Sequence, residues 1–184
     1  MKKIKYNIEI EELYKDYECL IDFKLVINRL LSGIPVDYLA GLKKVKLNNV
    51  DILNHKERKK TTRAQGKKYR LIDCNGWYNQ FWNGEPASIQ ILVDNVVEKI
   101  PTILLRFPLI QDMVFAMVFF HELGHHIHQT QVREYKEKEL VAEEWSKKLN
   151  KYYFQRKYWY LLPAMYIAYY IVLLLIKIRD SIRK

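Results

Sequence analysis

The sequence predicts an α+β domain in which a small mixed or antiparallel sheet packs on a long apolar helix that carries several histidines. Three observations support this class: helical spacing of apolar residues near the start, short extended segments between Asn-Gly turns, and a continuous apolar helix after them. At 184 residues, 49% of them apolar, the chain suits one domain over residues 1–150 and a hydrophobic C-terminal helix over residues 151–184.

The N-terminal part is predicted to contain one helix and the first strand. Apolar residues recur at roughly helical spacing over residues 9–31, and Ser32-Gly33 ends this helix. A short helical turn is expected over residues 35–40, closed by Gly41. Partial alternation of apolar and charged residues then predicts a half-exposed strand over residues 42–52.

The middle of the chain supplies the remaining strands. Extended segments are predicted over residues 69–73 and 77–79, and an Asn-Gly turn follows each of them. Residues 87–97 have the strongest strand pattern in the chain. The next apolar stretch, residues 111–130, contains no proline and one glycine, so it is predicted to be a continuous buried helix.

A basic segment, residues 55–70, accounts for much of the net charge of +10. It is predicted to be a solvated loop. The functional alternatives are contact with nucleic acid or with anionic lipid headgroups. Because the segment contains no recognisable nucleic-acid motif, nucleic acid stays an open partner.

The cysteines and the N-terminus bear on the cellular compartment. Cys19 and Cys74 have no metal-site spacing and suggest no disulfide framework. Residues 1–10 are charged and lack the apolar core of a signal peptide. The catalytic part of the chain is therefore predicted to be cytoplasmic.

The stretch His121-Glu122-Leu123-Gly124-His125 carries the predicted chemistry. Residues four apart share one face of a helix, so His121 and His125 can hold one metal ion between their ring nitrogens. Glu122 lies about 100° round the helix from His121, where its carboxylate can act as general base on a metal-bound water. Gly124 leaves room for a neighbouring backbone or for substrate. This HExxH spacing is typical of catalytic zinc sites.

Such a site needs a third protein ligand. His128 lies about 10 Å along the helix axis from His121, so we predict that it supports a ligand or faces solvent. The third ligand is expected from the next predicted helix, residues 134–149. Its candidate carboxylates are Glu134, Glu137, Glu139 and Glu144.

That helix also carries a family resemblance. HELGHHIH followed by E-x-x-A-E-x-W-S, from Glu139 to Ser146, resembles the ImmA/IrrE group of zinc-dependent peptidases and, more broadly, the gluzincins. The resemblance covers roughly residues 85–150. It implies that Glu139 is the third zinc ligand and that Glu143, where the group has Asn or Asp, orients a ligand histidine. The Leu-Leu-x-Pro that follows this helix in the group is absent here.

The order of helix, sheet and HExxH helix is that of a minimal zincin-like fold. In that fold an edge strand beside the active-site helix can bind substrate as an added extended strand. By position and by family analogy, we expect Ile89, Ile91 and Val93 to form that substrate strand.

The run of nineteen uncharged residues over 158–176 predicts the hydrophobic C-terminal helix. Its length approaches that of a membrane-spanning helix, aromatic residues lie at one end, and basic residues flank both ends. Pro163 and the interior tyrosines favour a buried or partner-binding helix instead. We favour membrane association and keep the buried helix as the alternative.

These observations predict a zinc-dependent endopeptidase that is cytoplasmic, with membrane tethering as a further expectation. Zn²⁺ is the expected cofactor and a protein or peptide the expected substrate. By family analogy the substrate is a regulatory protein such as a transcriptional repressor. The alternative is a zincin scaffold without turnover that contacts nucleic acid or membrane through the basic segment. The intact HExxH favours the enzyme, since a pure scaffold has no need of Glu122.

Overall fold

The computed structural model describes residues 7–18, 21–64, 67–98, 100–131 and 137–161. Within them the helices are α1 Phe23–Ser32, α2 His55–Lys59, α3 Val93–Val97, α4 Pro108–Thr130 and α5 Lys138–Lys157. The strands are β1 Glu9–Glu12, β2 Lys44–Asn48, β3 Thr61–Ala64, β4 Lys67–Arg70, β5 Gly76–Asn79 and β6 Ser88–Leu92. Short 3-10 turns lie at Val36–Leu39, Val50–Ile52, Leu71–Asp73, Leu104–Arg106 and Trp159–Leu161.

The main sheet has four strands in the order β1-β2-β6-β5. β1, β2 and β6 are parallel to one another, and β5 runs antiparallel to β6 with Tyr78 opposite Ile89. β3 and β4 form a separate antiparallel pair. The predicted α+β class with a small mixed sheet is therefore confirmed.

The predicted helix over residues 9–31 is wrong in its first half. β1 occupies Glu9–Glu12 and pairs with β2, and α1 begins only at Phe23. The Asp22 carboxylate caps α1 by accepting the N–H of Leu25 at 2.7 Å. Pairing with β2 satisfies the backbone groups of β1 that point towards β2, and the spacing of apolar residues contains no information about that partner.

The basic segment is not a loop, as the sequence had suggested, but a short helix followed by a strand pair. The Asn54 side chain accepts the N–H groups of Lys56 and Glu57, and the Glu57 carboxylate accepts the N–H of Asn54. This capping box starts α2. β3 and β4 complete the segment.

Three predicted strands end earlier than expected. The strand expected over residues 42–52 ends at Asn48, and a 3-10 turn follows at Val50–Ile52. The strand expected over residues 87–97 ends at Leu92, where α3 begins. The one expected over residues 69–73 ends at Arg70, where a 3-10 turn begins. The predicted turn over residues 35–40 and the long helix over residues 111–130 are confirmed.

α4 lies at the centre of the core. Its buried side packs with the inner face of the sheet and with α1, and its fully buried residues include Phe115, Phe119 and Phe120. Ile89 and Ile91 of β6 are also fully buried. An apolar face of this kind supplies most of the driving force for folding. It leaves the opposite side of α4 available to polar residues.

A buried carboxylate ties three helices together at the start of α4. Asp112 is fully buried and accepts hydrogen bonds from Arg29 of α1 at 2.9 Å and from Tyr153, Lys157 and Tyr158 at 2.7 Å each. Burial by itself raises the pKa of Asp112, but these four hydrogen bonds outweigh it and lower the pKa below its usual range.

α5 crosses the predicted domain boundary at residue 150 and continues to Lys157. Tyr153 and Tyr158 belong to the same core as α4. Residues 162–184 lie outside the described residues, so the hydrophobic C-terminal helix and its membrane association stay predictions. In the part of the chain that is described, no helix is both long enough and apolar enough to cross a membrane.

Candidate metal centre

α4 presents His121 and His125 of the HExxH stretch to α5, while Glu122 meets the backbone of β5. His121 and His125 lie one turn apart, their ring centroids are 4.9 Å apart, and both side chains are partly exposed. Glu122 between them is buried, with 7% of its surface exposed. The spacing that the sequence predicted for these residues on one continuous helix is thus realised.

α5 brings Glu139 to the two histidines. One Glu139 carboxylate oxygen lies 3.5 Å from His121 Nε2, and the other lies 3.6 Å from His125 Nε2. Among the described residues, His121, His125 and Glu139 form the group whose candidate ligand atoms all lie within 4.8 Å of one another.

The spacing of these atoms fits a zinc site. Zinc bonds of about 2.0–2.2 Å to nitrogen and oxygen place tetrahedral ligand atoms about 3.3–3.5 Å apart. Each histidine Nε2 lies at about this distance from a different oxygen of Glu139, 3.5 Å for His121 and 3.6 Å for His125. One candidate ligand atom from each of the three residues lies within 4.8 Å of the others. Two imidazoles and one carboxylate are also a donor set that catalytic zinc uses, with the fourth position left open.

Close packing of α4 against α5 sets the position of Glu139. A Cβ atom added at Gly124 would lie 2.6 Å from the carbonyl oxygen of Ala142 and 2.9 Å from its Cα. The space that the sequence analysis attributed to Gly124 is thus occupied by the α5 backbone. Glu139 precedes Ala142 by about one turn, so this contact holds its carboxylate beside the histidines.

The pKa values of the site residues follow from burial and from their neighbours. Burial, together with repulsion from His121, lowers the pKa of His125 to about 4, so its ring is neutral at pH 7 and its lone pair is free for a metal. Burial, and secondly the negative charge of Glu139, raises the pKa of Glu122 to about 8. A hydrogen bond from the Tyr78 backbone N–H partly offsets this increase.

The remaining predicted residues lie around this group. A Glu143 carboxylate oxygen is 3.9 Å from Nδ1 of His121, on the opposite side of the ring from the nitrogen near Glu139. His128 is partly exposed and close enough to contribute to lowering the pKa of His125. Glu137 and Glu144 are exposed and do not join the cluster, and Glu134 lies outside the described residues.

Sequence reasoning missed Tyr78 and His126. The buried His126 ring has Nε2 2.9 Å from the carbonyl oxygen of Ala40 and Nδ1 3.1 Å from the Tyr78 hydroxyl. A carbonyl only accepts, so Nε2 carries the proton and Nδ1 accepts from Tyr78. The helical periodicity of α4 places His126 on the core side, which was readable from the sequence. The contact with Tyr78, 48 residues away, was not.

The predicted substrate strand is wrong. Ile89 and Ile91 belong to β6, which lies between β2 and β5 and therefore has no free edge. Val93 is already the first residue of α3. The strand that ends the sheet beside α4 is β5, whose Tyr78 contacts Glu122 and His126. Strand order depends on pairing between distant segments, which the pattern within one strand does not specify.

In comparisons with known proteins, no family model, no curated protein and no solved structure matches this chain.

Proposed function

We propose that the chain is a zinc-dependent endopeptidase with a minimal zincin-like fold, similar to the ImmA/IrrE group, that hydrolyses peptide bonds of a protein substrate. One observation carries the proposal. His121 and His125 of α4 converge with Glu139 of α5, while Glu122 lies beside this group without belonging to it. A metal-binding triad with an adjacent uncommitted carboxylate is the arrangement that metal-assisted hydrolysis requires.

A zinc ion held by these three residues would supply Lewis acidity, which acidifies a water molecule and polarises a carbonyl group. Glu122 then provides the proton transfer. Its carboxylate accepts the proton of the attacking water and returns it to the nitrogen of the leaving amine. Burial raises the pKa of Glu122 in the metal-free site, and the charge of a bound zinc ion would act in the opposite direction and favour the carboxylate that accepts the proton.

The β5 strand supports a peptide as substrate. It ends the sheet order in the described residues and runs beside α4, where the Tyr78 N–H donates to Glu122. An extended peptide that paired with the outer edge of β5 would lie beside His121, His125 and Glu139. The packing of Tyr78 against His126 holds this strand on α4.

The rival proposal is a scaffold without turnover that contacts nucleic acid or membrane through the basic segment, in which Lys56, Lys59 and Lys68 are exposed. It gives no reason for the buried Glu122. Burying a carboxylate without a charged partner is unfavourable, and such groups concentrate at functional sites. The proposed peptidase therefore accounts for more of the structure than the scaffold does. The predicted location of this peptidase is the cytoplasm.

The test compares Glu122→Gln with Glu144→Gln on an unfolded protein substrate such as casein. Glu122→Gln should bind zinc like the parent and lose cleavage, because all three ligands remain while the base is gone. Glu144→Gln, an exposed position on α5, is the matched control and should cleave normally. Cleavage by Glu122→Gln at the parental rate would refute the proposed role.

A further inference from the structure

One end of the molecule carries a cluster of exposed apolar side chains. Ile103, Leu104 and Phe107 precede α4 and are 65%, 40% and 56% exposed, and Trp159 and Tyr160 follow α5 and are 67% and 57% exposed. We refer to these five residues as the apolar end. Single exposed apolar residues are ordinary on protein surfaces, but a group of large ones marks an interaction site.

Two hydrogen bonds hold both halves of the apolar end at the first turns of α4. Gln111 donates its side-chain amide to the carbonyl oxygen of Leu105 at 2.7 Å, and Tyr158 donates its hydroxyl to Asp112 at 2.7 Å. Gln111 and Asp112 are consecutive, so the segments before α4 and after α5 are both held at the same end of α4. The metal-binding group is nearer the other end of α4, with His121 about 13 Å along the axis from Asp112.

Cations adjoin the apolar end in the sequence. Residues 99–111 and 145–161 contain no aspartate or glutamate. Arg106 adjoins Phe107, Arg156 precedes Trp159 by three residues, and both arginines are exposed. The nearby Asp112 is fully buried and bonded to Arg29 and Lys157. The surface therefore combines large apolar side chains with cations.

The sequence that follows the described residues is also largely apolar. The described chain ends at Leu161, beside Trp159 and Tyr160, and the next charged residue is Lys177. Trp and Tyr favour the boundary between water and lipid, where the ring is partly buried and the polar atom stays hydrated. Clustered Lys and Arg are attracted to anionic headgroups.

We propose that the apolar end docks on the surface of an anionic lipid bilayer. The side chains of Ile103, Leu104, Phe107, Trp159 and Tyr160 enter the headgroup region, and the surrounding cations contact the lipid phosphates. This surface is formed by folded residues before α4 and after α5. It is distinct from the basic segment of residues 55–70, and it does not depend on the proposed peptidase activity.

The first test attaches a polarity-sensitive fluorophore to the full chain at Leu104→Cys, with Cys19 and Cys74 replaced by Ser. The matched control carries the fluorophore at Trp82→Cys. Trp82 is 66% exposed and lies in the β5–β6 turn, which Gln80 ties to Gln129 near the far end of α4. Vesicles of phosphatidylcholine with phosphatidylserine should shift the emission of the fluorophore at 104 to the blue and leave that at 82 unchanged.

The second test measures partition onto the same vesicles. Ile103→Ser/Phe107→Ser should weaken partition by about tenfold or more, because apolar contact with the interface is lost. Phe81→Ser/Trp82→Ser, an exposed aromatic pair elsewhere, should leave partition unchanged, and circular dichroism should show every variant folded. Vesicles without anionic lipid should bind more weakly than the mixed vesicles.

Three outcomes would overturn the proposal. A fluorophore at 104 that does not respond to vesicles would show that lipid does not reach this end. A response that depends on protein concentration without lipid would assign the surface to a second copy of the chain. Loss of partition in Lys59→Ser/Lys60→Ser, with no loss in Ile103→Ser/Phe107→Ser, would move lipid contact to the basic segment.

Discussion

Replacing Gly124 with alanine would place a methyl group inside the contact between α4 and α5. The new Cβ would lie 2.6 Å from the carbonyl oxygen of Ala142 and 2.9 Å from its Cα. Favourable contacts between carbons need about 3.5–4.0 Å, so the two helices must separate by roughly 0.5–1 Å. A side-chain rotation cannot relieve the overlap, because the atoms that the methyl meets belong to the backbone.

Two effects of this substitution oppose each other in the free energy of unfolding. Overpacking costs about 1–3 kcal/mol, while alanine stabilises a helix interior by about 1 kcal/mol relative to glycine. The expected net result is a loss of about 0–2 kcal/mol. Zinc binding should fall further, by about ten- to a hundredfold, because the shift of α5 moves Glu139 away from His121 and His125.

The assay is urea unfolding of metal-free Gly124→Ala, followed by a chelator competition titration for zinc. Met117→Ala is the matched control, since Met117 lies on the exposed side of α4 and its loss should change neither quantity. Ala142→Gly added to Gly124→Ala should not restore zinc affinity, because the closest contacts involve the Ala142 backbone. Gly124→Ala with parental stability and parental zinc affinity would refute this account of the helix contact.

Three further predictions concern the ligand, the buried charge cluster and the basic segment. Glu139→Ala should weaken zinc at least about tenfold and Glu143→Ala by less, and the reverse order in a chelator titration would move the third ligand. Asp112→Asn should lower the free energy of unfolding by about 3 kcal/mol, since it leaves buried donors unbalanced. Because the pKa of Asp112 is lowered on folding, its contribution is complete above about pH 3.9 and is lost as pH falls through the folded-state pKa. Urea unfolding at several pH values should therefore show a weaker acid dependence in Asp112→Asn. Lys59→Ser/Lys60→Ser should leave the urea midpoint unchanged. If the parent binds nucleic acid, the logarithm of its affinity should fall steeply with the logarithm of salt concentration, and the slope should be smaller by about 2 in the variant. Salt-independent binding would remove nucleic acid as a partner.

The parts of the site that the sequence predicted correctly are those that depend on local geometry. His121, Glu122 and His125 belong to one helix, and the helical repeat alone places them. The position of Glu139 depends on where along α4 a second helix, α5, packs. The small residues at Gly124 and Ala142 were visible in the sequence, but their mutual contact was not. For that reason the carboxylates of α5 could be ranked only by family resemblance.

The errors lie where distant segments meet. The sequence predicts helix where β1 lies, because the sheet partner of β1, β2, begins more than thirty residues later in the chain. It predicts an edge position for β6, because nothing within the strand shows that β5 pairs beside it. The Tyr78 backbone N–H that reaches Glu122 depends on the same pairing. Side-chain patterns report burial, and strand order is decided by which distant backbones pair.

The zinc content of the purified full chain tests the central claim most directly, measured by elemental analysis for the parent and for His121→Ala/His125→Ala. The account predicts about one zinc per chain in the parent and essentially none in the double variant, which should remain folded because both side chains are partly exposed. Stoichiometric zinc in the folded double variant would contradict the assignment of His121, His125 and Glu139 as the metal centre.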